Sequence, residues 1–94
     1  MQDGVTDNRE RNQFEMRVGE DLARIVYRRE SGRINLVHTE VPDSLSGQGV
    51  GSRLVRGALD RVRAEGLRVI PSCSFVAAYM ARHPDDQDLL AEPV

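Results

Sequence analysis

Between Gln13 and Val18 polar and apolar residues alternate, Gln-Phe-Glu-Met-Arg-Val, which is the period of a half-buried strand, and Gly19-Glu20-Asp21 supplies a turn after it. Leu22 to Arg29 is rich in β-formers (Ile25, Val26, Tyr27) and closes at Glu30-Ser31-Gly32-Arg33, after which Ile34 to Val41 reads as a third strand. Three strands joined by short turns predict an antiparallel meander. Pro42 ends the third because it has no amide hydrogen to give to a sheet. Beyond Asp43-Ser44-Leu45-Ser46 the period changes to that of a helix: Val50, Leu54, Val55, Ala58, Leu59 and Val62 fall on one face, and Arg53, Arg56, Asp60, Arg61, Arg63 and Glu65 on the others. Gly66 suits the left-handed stop. Leu67 to Pro71 is a short strand directly after this helix, and a strand-helix-strand crossover favours parallel pairing with a right-handed connection. Ser74 to Arg82 returns to helical composition, with Ser72 or Ser74 as N-cap and Pro84 as terminator. The fold class that follows is α+β: a mixed sheet built from a three-strand meander and a β-α-β crossover, with a C-terminal helix.

The two ends carry little of this pattern. Residues 1–11 hold one isolated valine among polar residues and are expected to be a disordered tail, leaving 12–94 as a single domain. The acidic stretch from Asp85 onward offers Leu89 and Leu90 as its core anchors. A chain of 94 residues has room for one core and one simple site. Its net charge of -2, without a local basic patch, argues against a nucleic-acid partner, and no apolar run approaches the roughly 20 residues needed to cross a bilayer. One cysteine cannot form an internal disulfide, and the first residues lack the pattern of a signal peptide, so a cytoplasmic location is expected. All 13 basic residues are arginine; the absence of lysine removes a Walker-type phosphate lysine and Schiff-base chemistry. His38, His83 and Cys73 make no metal site by spacing.

The chemistry concentrates around Ser46-Gly47-Gln48-Gly49-Val50-Gly51-Ser52-Arg53. Backbone amides of a glycine turn, leading into a helix whose first N–H groups are unpaired, aim donors and the helix dipole at the same point, and glycines let phosphate oxygens approach. The competing interpretation is a flexible helix start. A dinucleotide site is excluded twice: the spacing is G-x-G-x-G, not G-x-G-x-x-G, and the next strand ends at Ile70-Pro71 with no acidic residue.

An antiparallel meander, a glycine loop, a helix, a parallel strand and a further helix together resemble the GNAT superfamily of N-acetyltransferases. The family loop reads [Arg/Gln]-x-x-Gly-x-[Gly/Ala], and this chain has Ser46 at its first position with Gly49 and Gly51 at the others. More closely, His38-Thr39-Glu40-Val41-Pro42 through the glycines, Val69-Ile70-Pro71-Ser72-Cys73-Ser74-Phe75-Val76 and Tyr79-x-x-Arg82-His83-Pro84 are similar to the small single-domain GNAT-like group. The resemblance implies acetyl-CoA as cosubstrate. It implies that the amides of Gln48, Gly49, Val50, Gly51, Ser52 and Arg53 hold the pyrophosphate, that Val41 pairs with the pantetheine arm, and that Tyr79 protonates the departing thiolate. It also implies a missing wall on the acceptor side and transfer of an acetyl group to an unidentified amine; separately, the protein is expected to be a monomer.

Four further side chains are candidates. Cys73 lies just past the parallel strand and next to a helix N-terminus, which lowers a thiol pKa, so it is a possible acyl carrier; lone cysteines also serve as small buried hydrophobes. Glu40 suits a general base if burial raises its pKa, and otherwise is a solvated carboxylate. His38 alternates with Glu40 and so faces the same side, as a proton relay or as a hydrogen-bonded structural group. Arg53 is a candidate phosphate contact, whereas Arg56 is expected on a solvated helix face and His83 against the carbonyls of its helix end. The alternative to an acetyltransferase is a non-catalytic acyl-CoA-binding or protein-interaction module.

Overall fold

The computed structural model describes residues 4–91. Its five strands are β1 (Val5–Asn8), β2 (Gln13–Val18), β3 (Asp21–Glu30), β4 (Arg33–Glu40) and β5 (Arg68–Ile70), and its helices are α1 (Val50–Ala64) and α2 (Ser74–Ala81). The strands lie side by side in chain order, antiparallel from β1 to β4 and parallel between β4 and β5. This is the expected mixed α+β sheet with one strand more than the meander.

The extra strand corrects the expected tail. Residues 1–3 lie outside the described residues, but Val5–Asn8 pairs with Gln13–Met16, and Val5 is fully buried. One valine cannot fold a segment by its own apolar area; β2 supplies the hydrogen-bonding edge and polar contacts fasten the rest. Asp7 accepts a bond from the Tyr27 hydroxyl at 2.5 Å and pairs with Arg29 at 2.9 Å, while Arg61 of α1 donates to the Val5 carbonyl. Sequence periodicity has no access to partners 20 to 56 residues away.

One face of the sheet carries Val5, Phe14, Met16, Ala23, Ile25, Tyr27, Ile34, Leu36 and Val69, and against it pack Val50, Leu54, Val55, Ala58, Leu59 and Val62 of α1 with Val76, Tyr79 and Met80 of α2. The other face is polar: Arg24 bridges Gln13 and Glu40, and Gln13 and Asn8 both donate to Glu15. Two 3-10 turns complete the fold. Asp43–Leu45 buries Leu45 between β4 and α1, and Pro84–Leu89 buries Leu89 together with Asp86. Leu90 then bridges to Val69, so the acidic terminus holds the outer edge of β5. Among the described residues, no helix is long and apolar enough to cross a membrane.

A β-bulge positions the site. Tyr27 pairs with Leu36 but Val26 pairs with His38, so Val37 is an extra residue on β4. Cross-strand partners share a face, and insertion of one residue reverses the alternation beyond it. Leu36 and Thr39 (partners of Tyr27 and Ile25) therefore face the helices, while His38 and Glu40 (partners of Val26 and Arg24) face away from them.

Candidate functional site

The glycine loop forms one half of the site. Gly47 and Gly49 have φ of 80° and 72°, in the left-handed region where a side chain is strained, and a Cβ at either would meet nothing within 4 Å. The requirement is conformational, and the space above the loop stays open. Of the amides expected from Gln48 to Arg53, the outer two are used internally: Gln48 N–H donates to the Leu45 carbonyl at 3.3 Å and Arg53 N–H to that of Gly49 at 3.1 Å. The N–H groups of Gly49, Val50, Gly51 and Ser52 have no acceptor among the described residues. Four free donors at a helix N-terminus make a cradle for an anion. The Arg53 side chain is exposed beside it.

β4 provides the second half. It pairs with β5 only through Arg33, Ile34 and Asn35, and the Leu36 carbonyl then accepts the N–H of Cys73 at 2.9 Å. Past Leu36, on the side toward β5, the edge of β4 diverges from its neighbour. Two clefts meet at Val41. One of about 250 Å³ runs along Leu45, Ser46, Gly47, Gly49, Val50, Gly51, Ser52 and Phe75; the other, of about 470 Å³, is lined by Leu22, Thr39, Glu40, Val41, Pro42 and Asp43.

Cys73 stands where α2 meets this edge. It is itself the N-cap residue of α2, in extended conformation and without a side-chain cap bond, where Ser72 or Ser74 was expected. Its sulfur lies 3.2 Å from Thr39 Oγ1. Burial pushes the thiol pKa up, but the Thr39 hydroxyl and the N–H groups of Val76, Phe75 and Thr39 favour the thiolate more strongly, so the value falls below that of an ordinary thiol. Half-exposed and acidified, this sulfur has the surroundings of a nucleophile.

The other candidates are distributed differently. Glu40 touches the larger cleft, but its carboxylate is bound by Arg24 at 2.8 Å and by His38 Nε2 at 3.2 Å on the polar face of the sheet. Arg24 and then His38 hold its pKa below the usual carboxylate value, the opposite of the rise through burial that a general base would need. His38 does share a face with Glu40, as the alternation predicted, but the bulge turns that face away from Cys73.

Tyr79 is six residues beyond Cys73 along α2, a rise of about 9 Å, and lines neither cleft. Its hydroxyl accepts from Arg56 Nε at 3.1 Å and its ring stacks on His83 at 3.8 Å. Arg56 continues to Asp86 at 2.8 Å, and Arg63 reaches the same carboxylate at 3.4 Å. Arg56 is therefore half-buried in a network and not on a solvated face. His83 Nδ1 donates to the Tyr79 carbonyl at 2.6 Å, which is the helix-end contact expected of it. Thr39 and Phe75 were not singled out from the sequence. Thr39 is hidden by the bulge, and Phe75 by a helix too short and too uniformly apolar to show a face. Among the described residues no cluster of three metal-ligating side chains occurs.

A mixed sheet whose parallel strand diverges beside a glycine cradle defines the class to which this chain belongs, the GCN5-related N-acetyltransferases, and the family pattern matches residues 13–89. The particular relatives are small proteins. The protein NATD1 of mouse (Mus musculus) is 36% identical over 88 residues, covering 90% of this chain and 80% of its own. NATD1 of human (Homo sapiens) is also 36% identical, with coverage of 90% and 78%. The solution structure of a GCN5-like protein from Staphylococcus aureus superposes with a TM-score of 0.72 at 31% identity, covering 100% of this chain and 94% of that one.

Proposed function

We propose that the protein is an acetyl-CoA-dependent N-acetyltransferase in which Cys73 stands at the point of acyl transfer. One observation carries this reading: four free backbone amides open into a cleft that continues past Val41 and Thr39, and the sulfur of Cys73 lies against Thr39. The pyrophosphate of the coenzyme would rest on the N–H groups of Gly49 to Ser52, its pantetheine arm along the edge of β4 at Val41, and its thioester near Cys73. The larger cleft, whose ionisable side chains are Glu40 and Asp43, then admits the amine. The chain orients donor and acceptor, and its backbone dipoles meet the charge that develops on the carbonyl oxygen. Transfer proceeds directly, or through Cys73: the thiolate attacks the carbonyl carbon, coenzyme A leaves as a thiolate and takes a proton from water, and the amine displaces the sulfur while losing its proton to solvent.

The test combines calorimetry with mass spectrometry. Coenzyme A should bind the wild type. Incubation with acetyl-CoA and a panel of primary amines should yield acetylated amine, with a transient single-acetyl adduct on Cys73 if the covalent route operates. Binding without adduct or product would favour the alternative, a non-catalytic acyl-CoA-binding or interaction module. The larger cleft supports that alternative, because its lining comes from β3, β4 and the turn after β4 with no residue of α1 or α2, which leaves the acceptor side without a helical wall.

A further inference from the structure

Among the described residues Phe75 is one of two large apolar side chains left exposed, at 40%, and it lines the glycine cleft. Its ring presses against the third glycine: a Cβ on Gly51 would stand 2.8 Å from Cζ and 3.2 Å from Cε2 of Phe75, inside the contact distance of carbon atoms. Gly51 also differs from Gly47 and Gly49 in that its φ is not positive. Backbone freedom explains the first two glycines and does not explain this one.

We infer that Gly51 is glycine to admit the Phe75 ring, and that the ring is the apolar wall of the donor cleft, packing against the branched dimethyl carbon of the pantetheine arm. The inference rests on the proposed function above. The cleft has two chemistries along its length, free N–H groups from Gly49 to Ser52 and carbon surface from Val41 and Phe75. A ligand that matches it carries an anion with an apolar branch directly adjacent. Coenzyme A has that arrangement, since its dimethyl carbon is one methylene removed from the pyrophosphate oxygen. A nucleotide without pantetheine would satisfy the amides and leave the ring in water.

The experiment is calorimetric titration of the wild type, Phe75→Ala, Phe75→Leu and Gly51→Ala with two probes, coenzyme A and adenosine 3′-phosphate 5′-diphosphate, which keeps the phosphates and lacks the pantetheine arm. Phe75→Ala should weaken coenzyme A about tenfold, the order expected for uncovering one apolar contact of this size, and change the fragment by less than twofold. Phe75→Leu should fall between. Gly51→Ala should weaken coenzyme A by displacing the ring, and should add nothing in the Phe75→Ala background. Unchanged affinity for coenzyme A in Phe75→Ala, or an equal loss for both probes, overturns the inference, as does a full additional loss from Gly51→Ala in the double variant. If Phe75→Ala does not fold, Phe75→Leu is read by the same two criteria. Failure of the wild type to bind coenzyme A would instead remove the proposed function.

Discussion

At the scale of single residues, the acidity of Cys73 is set by neighbours that carry no formal charge. His38 and Glu40 face away from it, and α2 has no ionisable side chain before Tyr79. The hydroxyl of Thr39 is the side chain that favours the thiolate, so Thr39→Val should move the midpoint of iodoacetamide alkylation upward by about one pH unit, the order of a charge-assisted hydrogen bond, and Thr39→Ser should restore it. An unchanged midpoint would leave the backbone N–H groups of Val76, Phe75 and Thr39 as the cause. Ser52 offers a separate test of the anion cradle. It is exposed in the first turn of α1, where an added carboxylate complements the helix dipole by about 0.3–1 kcal/mol. Ser52→Asp should therefore keep or raise the urea midpoint while lowering coenzyme A affinity by tenfold or more; retained affinity would show that phosphate does not sit there.

At the scale of elements, α2 and the 3-10 turn after it are fastened to α1 through Asp86, which is 2% exposed and receives both Arg56 and Arg63. Both arginines keep close to half of their surface in water, so removal of the carboxylate does not strand a fully buried cation. Asp86→Ala should then lower stability by about 2 kcal/mol, below the 3–5 kcal/mol of a wholly buried pair, read as a lower urea midpoint with an unchanged slope. This network was not legible in the sequence, where Asp86 is one acid in an acidic run and Tyr79 matches a family position. The main elements were legible, because β2, β3, β4, α1 and β5 each bury one periodic face. What was lost depends on partners distant in sequence. β1 depends on β2, Tyr27 and Arg61, and the facing of His38 and Glu40 depends on a bulge that period-two counting from Ile34 and Leu36 runs straight through. Gly47, Gly49 and Cys73 were found because glycine and cysteine announce their chemistry by type, whereas threonine and phenylalanine do so only in context.

At the scale of the whole molecule, a small domain with an open cleft gains much of its rigidity when that cleft is filled. A ligand that binds the folded state alone adds about 2.7 kcal/mol at a hundredfold excess over Kd. For a chain of 94 residues this corresponds to a rise in Tm on the order of 10 °C. Coenzyme A should produce it in a thermal melt, and adenosine 3′-phosphate 5′-diphosphate less of it at equal concentration. A flat response to coenzyme A at millimolar levels would mean that the cleft is not a coenzyme site. The sulfur held between Thr39 and the start of α2 also makes the protein its own reporter. It is the only thiol of the sequence, and no lysine is present to compete for acyl groups or amine-directed labels. An isotope label on cysteine thus reports from beside Thr39, a residue of the larger cleft, and from nowhere else, and because it leaves the thiol free its spectrum follows donor binding, acylation and release in the native chain.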